Sequence, residues 1–71
     1  MEFKIRTITI EPDGDRNRVF LDQDLLGAYR TMDIARFAAL LVARDLNARV
    51  RKLEFEPDEL GNFVASVASE E

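Results

Sequence analysis

The chain of 71 residues contains no cysteine, no histidine and no tryptophan, and it has only three glycines and two prolines. Without cysteine it cannot form a disulfide or use a thiolate, and without histidine it lacks the commonest general base and metal ligand. The three glycines are isolated, so no glycine-rich loop is available to hold a phosphate. We therefore predict no enzyme activity, no metal site and no cofactor.

Long apolar runs are also missing. The longest, Phe37 to Ala43, has seven residues, far fewer than the ~18 that a membrane helix needs. The first four residues enter an alternating pattern directly, unlike a signal peptide. We predict one small cytoplasmic domain over residues 1–71 with no membrane contact. Because a chain of this size buries only about 60% of its unfolded surface, its core is thin and an oligomer is expected.

Charge is distributed unevenly along the chain. The net charge is −4, from 14 acidic and 10 basic residues. Residues 1–52 hold all ten bases and eight acids, a balance of +2, whereas residues 53–71 hold six acids and no base, a balance of −6. The overall negative charge opposes a general attraction to nucleic acid or to anionic membranes.

Two hairpins and one helix account for most of the sequence pattern. Alternating apolar residues around turn-forming segments predict hairpins over residues 2–21 and 50–68, followed by a frayed tail from Ser69. Residues 31–48 predict a helix with Thr31 as its N-cap. The result is an α+β fold with two layers in the order ββαββ, in which one long helix packs on one face of a four-stranded, mainly antiparallel sheet.

Three details of this pattern have two interpretations each. The alternation slips between Ile5 and Ile8, which indicates either a bulge near Arg6 or a strand partly covered on both faces. Residues 22–30 are predicted to be irregular, with a short helix or a third extended segment as the alternatives. The two hairpins resemble each other, either through duplication or because the same turn chemistry is used twice.

The predicted helix has an unusually wide apolar surface. At 100° per residue its apolar side chains cover more than half of the circumference, whereas a surface helix needs a stripe of roughly 100°. Four residues form the narrow remaining arc: Arg36, Leu40, Arg44 and Asn47. Together with the unpaired edges of the predicted sheet, this surface predicts a homodimer, formed through either the helix or a strand edge. Packing within one chain is the alternative.

Acidic residues surround the second predicted hairpin. They either dock on a basic surface of another protein or merely keep the domain soluble and protect a strand edge. Together with the polar arc of the helix, they complete the set of candidate partner-binding residues: Arg36, Leu40, Arg44, Asn47, Glu54, Glu56, Asp58 and Glu59.

Part of the first half loosely resembles a known family. The segments Ile10-Glu11-Pro12-Asp13-Gly14 and Leu25-Leu26-Gly27, followed by a helix from Thr31, resemble the hairpin, glycine-containing loop and helix of HicB-type antitoxins. The resemblance implies a protein that binds and neutralises a small toxin. Residues 1–71 include no counterpart of the DNA-binding extension that many of these antitoxins carry.

These observations favour a small, acidic, non-enzymatic module that binds another protein, as an inhibitor or adaptor, and also binds itself. The alternative is a nucleic-acid-binding or transcription-related protein that uses the arginine-bearing helix in a dimer. In that alternative Arg36 and Arg44 act together with the basic residues that follow the helix, which are Arg49, Arg51 and Lys52. The negative net charge disfavours it.

Overall fold

A computed structural model describes residues 2–70 of the chain. It contains three strands, one helix and two further strands, in that order along the chain. Their bounds are β1 Phe3–Asp13, β2 Arg16–Leu21, β3 Asp24–Tyr29, α1 Met32–Leu46, β4 Glu56–Pro57 and β5 Phe63–Glu70.

The five strands form one antiparallel sheet in the order β3-β2-β1-β5-β4. The helix α1 packs on one face of this sheet and contacts β1, β2, β3 and β5. The predicted α+β class, with one helix on a mainly antiparallel sheet, is therefore confirmed. The prediction of four strands is wrong, because the sheet has five.

The additional strand is β3, which comes from the stretch predicted to be irregular. The β2–β3 register shifts between Val19 and Phe20, so the strand shows no simple alternation of apolar residues. Gly27 lies opposite Val19, and a Cβ atom at position 27 would stand 2.8 Å from the Tyr29 hydroxyl oxygen. The absence of a side chain at Gly27 therefore leaves room for the Tyr29 ring to cover the strand. The glycine does not mark a loop.

The segment after the helix forms less sheet than predicted. Only Glu56 and Pro57 pair with β5, opposite Val64 and Phe63, whereas the sequence pattern predicted a strand from residue 50. Leu53 and Phe55 pack instead against the hydrophobic core. Their alternation thus reflects burial and not strand pairing. Proline lacks a backbone N–H, which is compatible with the edge position of β4.

Strands β1 and β5 pair without interruption from Phe3↔Glu70 to Ile10↔Phe63. No bulge occurs in β1. The slip in its pattern arises because Ile8 and Ile10 face the helix and are fully buried, while Phe3 and Ile5 lie on the opposite face and are 52% and 65% exposed. Ser69 and Glu70 belong to β5 and are not a frayed tail; Glu71 lies outside the described residues.

The core lies between the helix and the centre of the sheet. From the sheet it contains Ile8, Ile10, Val19 and Val67, and from the helix it contains three fully buried alanines: Ala35, Ala39 and Ala43. Because these side chains are small, the helix lies close to the strands. Within residues 2–70, no helix has the length and apolar character needed to cross a membrane.

Local hydrogen bonds fix the entry to the helix and the turn between β2 and β3. The Thr31 hydroxyl accepts a hydrogen bond from the Ile34 amide at 3.1 Å, which confirms the predicted N-cap. Asp22 has a φ of 54°. Its carboxylate accepts hydrogen bonds from the Thr7 amide at 3.1 Å and the Arg6 guanidinium at 2.6 Å. The Thr7 amide, followed by Arg6, lowers the pKa of Asp22 below its ordinary value of 3.8.

Candidate protein-binding surface

The helix α1 exposes large apolar side chains on the side away from the sheet. Ile34 is 50% exposed, Phe37 is 62% exposed and Leu41 is 49% exposed. Their spacing of three and four residues aligns them along one helix face. We call these three residues the outer ridge. A contiguous exposed apolar surface on a small domain is typical of a site of interaction.

The outer ridge exists because alanines occupy the inner side of the helix. Ala35, Ala39 and Ala43 follow each other at four-residue intervals and are fully buried. At 100° per residue, the mean direction of Ile34, Phe37 and Leu41 is roughly opposite to the mean direction of these alanines. The helix therefore buries its smallest apolar side chains and exposes large ones, the reverse of an ordinary surface helix.

A groove lies beside the outer ridge, between α1 and the segment that precedes β4. It has a volume of about 310 Å³, is open on one side and has a mainly apolar lining. Six residues line it: Arg36, Phe37, Leu40, Lys52, Leu53 and Phe55. Phe37 belongs to both the ridge and the groove. This volume is at the lower end of the range for small-molecule sites, about 300–1,000 Å³. Its open shape suits protruding side chains of a partner.

The charged residues of the groove lining are both cations. The Arg36 guanidinium carbon lies 5.7 Å from the ring centroid of Phe55 and 5.8 Å from that of Phe63. These distances are within the range of cation–π attraction, which holds the guanidinium against apolar surface. The Lys52 ammonium lies 3.4 Å from a carboxylate oxygen of Glu54, and both side chains are about 80% exposed. Such an exposed ion pair is weak, so Lys52 is able to exchange partners.

A second protruding feature is the turn between β4 and β5, Asp58 to Asn62, which we call the hairpin tip. One Asp58 carboxylate oxygen accepts hydrogen bonds from the amides of Leu60, at 2.8 Å, and Asn62, at 2.9 Å. Two backbone bonds, from Asp58 N to Asn62 O and from Gly61 N to Asp58 O, close the turn. Gly61 has a φ of 84°. The turn holds Leu60 outwards, with 85% of it exposed.

Some of the residues predicted to bind a partner lie on these features. Arg36 and Leu40 line the groove, and Asp58 and Glu59 belong to the hairpin tip. Leu40, which the pattern placed on the outer arc, is half-buried. Its position beside the inner face follows from the burial of the alanines.

The other predicted residues lie apart from the groove lining. Arg44 is exposed in the last turn of α1. Asn47 caps the helix, and its side-chain amide donates a hydrogen bond to the Ala68 carbonyl oxygen at 2.9 Å. Glu54 and Glu56 are exposed on the segment that leads to the hairpin tip. The partner-binding role of all eight residues remains a prediction.

Sequence reasoning missed the outer ridge and Leu60, the most exposed of the large hydrophobic residues described. The ridge residues were counted as apolar, but hydrophobicity alone does not reveal that alanines take the inner side. Leu60 carries a clearer signal, because it stands in a turn with charged and turn-forming neighbours.

The chain matches no protein-family model, no curated protein and no solved structure. Within residues 2–70, no group of three or more acidic side chains is arranged to hold a metal ion.

Proposed function

We propose that the chain is a non-enzymatic protein-binding module, acting as an inhibitor or adaptor, and that the outer ridge and the adjoining groove form its binding surface. The observation that carries this proposal is the exposure of Ile34, Phe37 and Leu41 on a helix that buries alanines. When a partner covers exposed apolar side chains, their removal from water stabilises the complex by about 25 cal/mol per Å² of apolar surface buried.

The chemistry of the surface also suggests the kind of partner. The groove lining contains Arg36 and Lys52 and no acidic residue. A partner that presents an apolar side chain next to carboxylates matches both the apolar floor and the cationic rim. Complementary charges of this kind select partners and accelerate encounter more than they raise affinity.

The positions of the two helix arginines support nucleic-acid binding less well than they support protein binding. The Arg36 guanidinium lies over two phenylalanine rings. Arg44 stands about two turns further along the helix. The net charge of −4 also opposes phosphate. A gel shift at about 50 mM salt, where binding driven by phosphate contacts is strongest, tests this alternative directly.

The proposal is tested by capture experiments with matched variants. Wild-type chain, Phe37→Asp and Leu25→Asp are each immobilised and exposed to a lysate of the cells that encode the chain. Leu25 is 55% exposed but lies on β3 and belongs neither to the outer ridge nor to the groove lining. A partner that uses the ridge is captured by the wild type and by Leu25→Asp. Phe37→Asp weakens its binding by roughly 30-fold, the effect of losing a central interface residue.

Two results would contradict the proposal. The first is capture that is equally strong with Phe37→Asp and with the wild type. The second is a set of captured proteins that depends on Leu25 and not on Phe37. Circular dichroism spectra of both variants verify that each one is folded.

A further inference from the structure

We infer that the groove receives the hairpin tip of a second copy of the same chain, so that two chains form a two-fold dimer in which each Leu60 inserts into the partner's groove. This inference rests on the proposed function, because it names an occupant for the same surface. It goes beyond a general tendency to self-associate by identifying the two elements that meet.

The turn at the hairpin tip fixes the backbone that presents Leu60. Leu60 is 85% exposed, so its side chain adds almost no buried apolar surface to the fold of its own chain. The Asp58 carboxylate accepts hydrogen bonds from the backbone amides of Leu60 and Asn62, which fix the backbone that presents this side chain. An anchor whose backbone is already ordered before binding loses less conformational entropy when it is buried. The hairpin tip is thus arranged like an interface anchor.

The hairpin tip and the groove carry complementary charges. The hairpin tip carries Asp58 and Glu59 beside Leu60 and has no basic residue. The groove has an apolar floor with Arg36 and Lys52 in its lining and no acidic residue. One element therefore offers an apolar side chain beside carboxylates, and the other offers an apolar recess beside cations. This is the match that the groove chemistry requires of its occupant.

The hairpin tip and the groove lining are close together along the chain. Phe55 lines the groove, and Leu60 follows only five residues later. Five residues span at most about 17 Å even when fully extended. The tip therefore lies within that distance of the groove lining. A two-fold axis that passes near both elements places each tip at the other chain's groove and closes the assembly at two copies.

The experiment measures the association of the full chain by sedimentation equilibrium up to about 1 mM, which detects very weak dimers. The wild type is expected to dimerise. Leu60→Ser is expected to raise the dimer dissociation constant by about 100-fold, since two leucines are each worth about tenfold. The matched control is Leu25→Ser, which changes a leucine on the opposite edge strand and leaves the constant within about twofold of the wild-type value.

A charge exchange tests the pairing of the two elements. Lys52→Glu and Glu59→Lys are each expected to weaken the dimer by about two- to fivefold, the range for exposed ion pairs. The double variant restores oppositely charged partners across the interface and is expected to recover most of that loss. If each substitution acts only by disturbing its own chain, the two losses of dimer affinity add in the double variant instead.

Three outcomes would overturn the inference. They are a monomeric wild type at every concentration, a dimer insensitive to Leu60→Ser, and additive losses in the charge exchange. If one of these occurs while Phe37→Asp still weakens the capture of another protein, the groove has a different occupant and the proposed function stands. If Phe37→Asp also has no effect on capture, both proposals fail.

Discussion

A substitution pair tests whether the helix truly buries alanines and exposes phenylalanine. The two variants are Ala39→Leu and Phe37→Ala. In an ordinary amphipathic helix, removing a phenylalanine from the core costs about 3–5 kcal/mol of unfolding free energy, and enlarging an alanine on the surface costs almost nothing. The structure predicts the reverse order.

The expected magnitudes follow from burial. Phe37 is 62% exposed, so less than half of its surface leaves water on folding. Full burial of such a side chain is worth about 1.5–3 kcal/mol, and Phe37→Ala therefore costs about 1 kcal/mol or less. Ala39 is fully buried on the side of the helix that packs on the sheet. Three additional heavy atoms there force the helix away from the sheet, at a cost of about 1–3 kcal/mol or more.

Urea unfolding followed by far-ultraviolet circular dichroism measures both values. With a denaturant slope of about 1 kcal/mol/M, as for small domains, Ala39→Leu lowers the midpoint by about 1–3 M and Phe37→Ala by at most about 1 M. The experiment uses low protein concentration, because self-association would add stability. Ala38→Leu is the matched control. Ala38 is half-buried on the side of the helix, so this variant loses less stability than Ala39→Leu.

Two results would refute this reasoning. A loss of 3 kcal/mol or more for Phe37→Ala at low concentration would place Phe37 in the core. An Ala39→Leu variant as stable as Ala38→Leu would show that the inner side of the helix has room for a large side chain. The first result would remove the outer ridge as a candidate binding surface, and the second would remove the explanation that small residues are required on the inner side.

Three further predictions concern local structure. Thr31→Ala should lower the free energy of unfolding by about 1 kcal/mol in urea unfolding, because the Ile34 amide loses its acceptor; Thr31→Ser should not, and equal effects would contradict the cap. Gly61→Ala should cost about 1–2 kcal/mol by the same assay, because φ is 84° although nothing lies within 4 Å of the added Cβ; an unchanged midpoint would contradict the strain. The Asp22 carboxylate should titrate below 3.8 in NMR, as its lowered pKa requires. Its stabilising effect is therefore complete above the unfolded-state pKa and is lost as the pH falls through the folded-state pKa. Asp22→Asn should accordingly lose less stability than the wild type on acidification, and a titration midpoint at or above 3.8 would oppose this.

The elements that the sequence predicted well depend on local chemistry. The start of the helix follows from the Thr31 hydroxyl, which acts within one turn of the chain. The beginning of β5 at Phe63 follows from a turn that contains its own capping carboxylate. In both places the residues that determine the structure are neighbours in sequence, so the pattern alone identifies them.

The elements that sequence reasoning missed depend on distant contacts. Gly27 suggests a loop, but the Tyr29 ring covers it, and β3 forms because it pairs with β2 through a register shift between Val19 and Phe20. Leu53 and Phe55 alternate like a strand but pack against the core instead of pairing. Which face of the helix is buried depends on how closely the helix approaches the sheet. The spacing of apolar residues in the sequence does not contain that distance.

Among the candidate site residues, the polar ones were easier to find than the apolar ones. Arg36 stood out because it interrupts an apolar helix, and Asp58 and Glu59 stood out because the last third of the chain has no basic residue. Phe37 and Leu60 did not stand out, because an apolar side chain gives the same sequence signal inside a core and on an exposed ridge.

The position of Tyr29 has a practical consequence for identifying partners. It is the only tyrosine in a chain without tryptophan, so the intrinsic fluorescence of the protein comes almost entirely from one half-buried ring on β3. Energy transfer from this ring to an indole therefore occurs only when a tryptophan from another molecule comes near. A dimer of two identical chains brings no indole, whereas a tryptophan-bearing partner bound nearby quenches the tyrosine emission. The chain thus carries a built-in optical signal that distinguishes self-association from binding of a tryptophan-containing protein.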